Sequence, residues 1–221
     1  NARLLDSGLP IAEMNQIRRQ HSAIKGGRLG ARVRGRSVAL VYSDVSSGAV
    51  QDVASGPVRN AICIADNGTL TNAAAEIAQR TGHKVRRWNG QLEGDVDGAA
   101  HALAEAAATL ERGELLVAGG EPTVVKRGDG KGGRCSELAV RFALAAKDAN
   151  VQALFAGSDG VDGSSGAAGI LLRGIPPFDR DEAVAALERS DSFAVASRIG
   201  EAIMIAAAGN NLRDLFLLAR G

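Results

Sequence analysis

Short runs of branched apolar residues alternate with stretches of helical period along this chain, and that alternation limits the folds open to it. The runs "SVALVYSDV" (37–45) and "AICIAD" (61–66) read as strands, and "TLTNAAAEIAQRTG" (69–82) as a helix stopped by Gly82. "KVRRW" (84–88) is a short strand. The stretch 96–113 keeps Val96, Ala100, Leu103, Ala107 and Leu110 on one helical face, and Gly113 ends it. Strands at 115–121 and 123–127, a helix at 137–149, a strand at 151–160, a helix at 181–190 and closing strands at 202–211 and 215–220 complete the pattern. Ahead of them Ile11, Met14, Ile17 and His21 recur at helical spacing, with His21 on the core side. Strands that alternate with helices predict an α/β fold: largely parallel sheets flanked by helices. A polar stretch at 110–114 is the expected boundary between two sub-domains, 1–111 and 112–221.

Composition narrows the function. Aromatic residues make up only 3% of the chain, too few for a nucleic-acid binder that stacks bases. Twenty-six basic and 25 acidic residues leave a net charge of +1, so no global field draws nucleic acid or membrane. No apolar run approaches the ~18 residues of a membrane span. Cys63 and Cys135 do not form a metal-type cluster, and two isolated cysteines point to a reducing, cytoplasmic setting. The chain opens on helix-like sequence at Asn1, with no initiator Met and no signal-peptide pattern, so a fragment or processed form is expected.

Polar clusters follow the expected strands, where open α/β sheets bind ligands. They are 43–48, 119–123, 126–134 and 157–166. The third, "KRGDGKGGR", places Lys126, Arg127, Lys131 and Arg134 among four glycines just before a helix. Glycine lets backbone N–H groups approach an anion, and a helix start adds partial positive charge. The loop therefore suits a phosphate or carboxylate, unless it is simply a solvated turn. It also spells GxGxxG through Gly128, Gly130 and Gly133, a dinucleotide fingerprint in outline. Asp159, at the end of the next strand, lies somewhat beyond the usual ~20 residues.

The segments "MNQIRRQHSAIKGGRLG", "SDV…ASGP", "GGEPTVVKRGDGKGGRCSELA", "AGSDGVDGSSGAAG" and "GNNLRDLFLLARG" occur in this order and cover nearly the whole chain. Together they resemble the glycerate 2-kinases, whose C-terminal module is called MOFRL and many of which carry the label hydroxypyruvate reductase. The resemblance implies a partial Rossmann-like domain over 1–111 and a MOFRL-type α/β domain over 112–221. It implies ATP-dependent phosphorylation of D-glycerate to 2-phosphoglycerate with a divalent metal, here Mg2+. It also allows a homodimer. A nicotinamide-dependent hydroxypyruvate reductase and a non-catalytic remnant of the kinase fold are the alternatives. Family members carry a longer upstream region with a further catalytic lysine, so this chain is expected to be a truncated form, weakly active alone.

Matched to the motifs, Asp44 and Arg134 are the catalytic pair: a carboxylate for the glycerate hydroxyl, and a guanidinium fork for phosphate oxygens. Lys25, Gly26, Gly27, Arg28, Ser43, Ser55, Gly120, Glu121, Lys131, Gly132 and Gly133 match substrate- or phosphate-binding positions. Asp159 and Asp162 match the metal-binding motif, although Asp-Gly pairs also form turns. The chain departs from the usual motif at Cys135 and Ser136, where Asn and Gln are usual, and at Arg213, where Asn is usual.

Overall fold

The structure is a computed structural model that describes residues 11–45 and 60–220, together with Leu9, Val53 and Gly56. The chain divides into two compact units between Asp66 and Asn67. In the first, helix α1 (Ile11–His21) precedes the short α2 (Arg28–Arg32). Strand β1 (Ala39–Tyr42) pairs in parallel with β2 (Ala61–Ala65). The Ser43 amide extends this ladder by donating to the Ala65 carbonyl at 2.9 Å. His21 is exposed rather than core-facing, because it ends α1 and no further helical turn continues its stripe.

The second unit contains α3 (Asn67–Arg80), β3 (Lys84–Arg87), α4 (Val96–Ala108), β4 (Glu114–Gly120) and α5 (Arg134–Ala145). It continues with β5 (Val151–Gly157), β6 (Gly169–Leu172), α6 (Arg180–Glu188), α7 (Ser192–Ile199), β7 (Glu201–Ile203) and β8 (Asp214–Arg220). The strand order is β3-β4-β8-β5-β6-β7. Helices flank the sheet, as an α/β chain requires, but the strand directions differ from the expected largely parallel arrangement. β3 and β4 are parallel, whereas β4–β8, β8–β5, β5–β6 and β6–β7 are antiparallel. The alternation does send β3, β4 and β5 the same way, since a helix joins each to the next. The last strand then inserts between β4 and β5 and opposes both.

Contacts cross residues 111 and 112 within the second unit, where β3 pairs with β4 and α4 packs on α5. Residues 123–127 do not form a strand; Thr123 makes only an isolated bridge to Asp95. The expected strand at 202–211 shrinks to Glu201–Ile203, and β6 and α7 add elements that the pattern did not indicate.

The core lies on one sheet face under α4, α5, α6 and α7. The five expected core positions of 96–113 are all buried there. Phe155 and Phe216 face each other across β5 and β8, with ring centroids 6.1 Å apart, and Phe142 of α5 packs on Phe155 at 5.3 Å. These tilted rings fix the height of α5 above the sheet. They thereby fix where its first residue, Arg134, emerges.

Candidate active site

β4 ends at Gly120, which has φ +153, and a Cβ there would lie 2.6 Å from the Leu92 nitrogen. The bare Cα lets residues 91–93 run against the strand end. Leu92 accepts from the Glu121 amide and donates to the Gly119 carbonyl, both at 2.9 Å. Gln91 and Glu93 are thereby brought beside Glu121. β8 starts at Asp214, which is in register with both Gly120 and Gly157 and so lies between the ends of β4 and β5.

A network of arginines and carboxylates fills this place. Arg134 donates from Nε to Asp214 Oδ2 at 2.9 Å and from Nη2 to Oδ1 at 3.2 Å. Its Nη1 lies 3.1 Å from Glu121 Oε1. The other Glu121 oxygen accepts from Arg213 Nε at 3.2 Å. Arg213 Nη1 also donates to Glu93 at 2.6 Å and to Gln91. Arg213 is buried and has φ +69, a left-handed conformation that asparagine adopts more readily than arginine. Its ion pairs with Glu93 and Glu121 offset that strain. Asn67 of α3 donates to the Leu212 and Asp214 carbonyls at 2.8 and 3.0 Å, fixing the start of β8.

Burial works against charge on Arg134, but the hydrogen bond and charge of Asp214, with Glu121, hold its pKa above the ordinary value. Burial, opposed by Arg134, pushes Asp214 up to about 6. Arg134 remains the strongest candidate for an anion-binding side chain here. Of its five N–H groups two are hydrogen-bonded, to Asp214, while Nη1 pairs with Glu121, and its side chain is about one-third exposed.

The glycine loop before α5 is built differently from the expected phosphate cradle. Its amides turn inward. Arg127 and Gly128 donate to Ser190 Oγ, Gly130 to the Arg189 carbonyl, and Lys131 to Asp191 Oδ1. Gly132 donates to Ser164 Oγ and Gly133 to Ser136 Oγ. The glycines serve packing: a Cβ on Gly128 would meet the Arg189 carbonyl oxygen at 2.6 Å, and one on Gly130 the Asp191 Cα at 2.6 Å. The side chains of Lys126, Arg127 and Lys131 stand exposed on this stitched loop.

The N-terminus of α5 already holds an anion from its own chain. Asp162 is buried, and its two oxygens accept from the Cys135 and Ser136 amides at 2.8 and 2.9 Å. Burial raises its pKa, with these bonds opposing. Each oxygen of this carboxylate, matched to the metal-binding motif, thus accepts one backbone bond and ties the 162 turn to the start of α5. Asp159 spends one oxygen on the Val161 amide at 3.0 Å and keeps the other. Among the described residues no group of three His, Cys, Asp or Glu could hold a metal ion. Glu121, matched to a substrate- or phosphate-binding position, is shared by Arg134 and Arg213.

In the first unit, Gly26 and Gly27 both have positive φ, and the Gly27 amide donates to the Gly56 carbonyl at 2.6 Å. The Lys25 amide donates to Ser22 Oγ at 3.2 Å. Arg28 turns back on α1, donating to the carbonyls of Ser22, at 2.8 Å, and Arg19. Ser43 is buried just past β1, its Oγ accepting from Val45, and Asp44 next to it is exposed. Ser55 lies outside the described residues. Asp44 and the lysine–glycine turn belong to the first unit, and Arg134 and its partners to the second. Sequence reasoning missed Asp214, Glu93 and Gln91. The available signal was a charge at the head of an apolar strand, "RDLFLLAR", since a charge inside a sheet needs a partner.

Against known proteins, the profile of the MOFRL family matches residues 114–214, and that of a domain of unknown function, DUF4147, matches residues 1–88. An Agrobacterium vitis protein with a provisional hydroxypyruvate reductase name is 30% identical over 278 residues, covering 97% of this chain and 71% of that protein. The D-glycerate 2-kinase of Thermotoga maritima is 27% identical over 266 residues, covering 97% and 64%. A glycerate 2-kinase of Pyrococcus horikoshii is 25% identical over 276 residues, and this chain spans 62% of its length. The crystal structure of a Thermotoga maritima glycerate kinase superposes with a TM-score of 0.87 at 25% identity, covering all of this chain and 66% of that one.

Proposed function

The chain belongs to the glycerate 2-kinase family, and from that premise we propose that it transfers a phosphoryl group from ATP to the 2-hydroxyl of D-glycerate. The observation that carries this reading is Arg134, a guanidinium anchored on one edge with N–H groups left over on the other. Phosphoryl transfer needs positioned positive charge more than covalent help, and a guanidinium binds phosphate oxygens in pairs. Asp44, exposed at the carboxyl end of β1, is the carboxylate that accepts the glycerate hydroxyl proton as the oxygen attacks. Lys25 and the cations of the stitched loop are the groups for the substrate carboxylate and the nucleotide phosphates. A divalent ion carried with ATP would neutralise phosphate charge, and Asp159, with one oxygen not used by the Val161 amide, would be the carboxylate to hold it.

The nicotinamide reading loses support at the glycine loop. In a dinucleotide site those glycines leave room for a pyrophosphate. Here that room is filled by Arg189, Asp191 and Asp162. Calorimetric titration of the chain should give tighter binding of ATP–Mg2+ or 2-phosphoglycerate than of NADH. Tight NADH binding, with NADH oxidised by hydroxypyruvate, would reverse the assignment.

A further inference from the structure

We infer that Asp214 is the positioning residue for the phosphoryl-binding arginine: it locks one edge of Arg134, and Glu121, itself braced by Arg213, locks a second position. The inference rests on the reading of Arg134 given above. Asp214 is 1% exposed and sits in the middle of the sheet, in register with Gly120 and Gly157. A buried carboxylate is unfavourable unless paired, and an apolar pair would hold a sheet as well. What an apolar pair cannot do is orient a guanidinium. Asp214 takes the Nε and Nη2 donors side-on, which fixes the plane of the group. Glu121 forms an ion pair with Nη1 at 3.1 Å, and the guanidinium keeps N–H groups on Nη1 and Nη2 beyond the two that Asp214 takes. Arg213 holds the opposite oxygen of Glu121 and is itself held by Glu93, so the brace is fixed at its far end. Free arginine side chains lose much rotamer freedom on binding an anion; here that ordering is done in advance.

Asp214→Asn keeps the shape but removes the charge and one acceptor, so it separates positioning from packing. In wild type the Arg134 Nε–H, read by 15N NMR with arginine labelling, should exchange slowly with solvent. In Asp214→Asn it should exchange at least ~10-fold faster, as a bond to a charged acceptor is lost. Titrating inorganic phosphate should perturb the Arg134 signal in wild type, with affinity falling ~10-fold in the variant. With ATP, Mg2+ and D-glycerate, kcat should fall ~100-fold, as for a slightly misplaced group, while KM for D-glycerate changes little. Adding Asp214→Asn to Arg134→Lys should then cost almost nothing more, because the two act as a unit.

The pH profile gives a readout that a purely structural role would not move. The charged and titratable groups around Asp214 are Arg134 and Cys135 of α5, Glu121 after β4 and Asp162 after β5, while Asn67 of α3 donates to its backbone carbonyl. Its pKa near 6 is above that of an unfolded aspartate, so its own contribution to stability grows as pH falls through 6 and is lost as pH rises again. Protonation removes the clamp charge, so activity should fall over the same acid range, and this limb should vanish in Asp214→Asn. Should Asp214→Asn fail to fold, Glu121→Gln tests the second lock by the same exchange and phosphate titrations. An unchanged Arg134 Nε–H together with unchanged phosphate affinity overturns the inference, as does a fully additive double variant. Absence of glycerate phosphorylation in wild type would overturn the kinase reading instead, while the exchange and phosphate titrations still decide the role of Asp214.

Discussion

Replacing Arg134 by lysine is expected to lower kcat for D-glycerate phosphorylation by ~10³, on the scale of arginines that meet a transferred phosphoryl group. Lysine keeps the charge but carries it on a single nitrogen. It cannot occupy both oxygens of Asp214, reach Glu121, and still present paired N–H groups to the phosphate. The loss should fall on kcat rather than on KM for D-glycerate, because the charge that develops in transfer is what the fork addresses. Steady-state kinetics with ADP formation coupled to a spectrophotometric readout measure it. A kcat within twofold of wild type removes Arg134 from the chemistry and leaves it a structural ion pair.

The second large effect is on stability. Gly133→Ala should destabilise the second unit by ~3 kcal/mol, the upper range for overpacking a tight site. A Cβ at Gly133 would lie 2.5 Å from the Asp162 carbonyl carbon and 2.6 Å from the Gly163 nitrogen, both backbone atoms with nowhere to move. Relief requires separating the 162–163 turn from α5. That breaks the two bonds from Asp162 to the Cys135 and Ser136 amides, which cap the helix. Urea denaturation gives the free energy, and hydrogen exchange at Cys135 and Ser136 locates the damage. If these glycines existed to admit a ligand, the substitution would leave stability unchanged and reduce only ligand affinity.

Gly133 also shows where the sequence was misleading. Four glycines and four cations before a helix suggested a phosphate cradle, because glycine permits any close approach. The approach that occurs is to the chain's own backbone at 189–192 and 162–163. Nothing local distinguishes the two uses, since the partners lie up to 63 positions away. The strand–helix alternation was legible because period and turn residues are local properties, and it gave the common direction of β3, β4 and β5. The insertion of β8 was not legible, because no property of "LFLLAR" specifies which neighbours it joins. Arg134 was readable from its motif. Asp214 lies 80 positions away, and the Gln91 and Glu93 contacts to Arg213 span 122 and 120 positions. Those pairings become visible only once Gly120 is seen to admit the 91–93 segment.

The most direct test of the proposed activity is to incubate the chain with ATP, Mg2+ and D-glycerate and follow the products by 31P NMR. The expected result is a phosphomonoester signal that matches 2-phosphoglycerate and grows in step with ADP, dependent on D-glycerate and abolished by Arg134→Lys. ATP left unchanged by D-glycerate, while the same preparation oxidises NADH with hydroxypyruvate, would contradict the account.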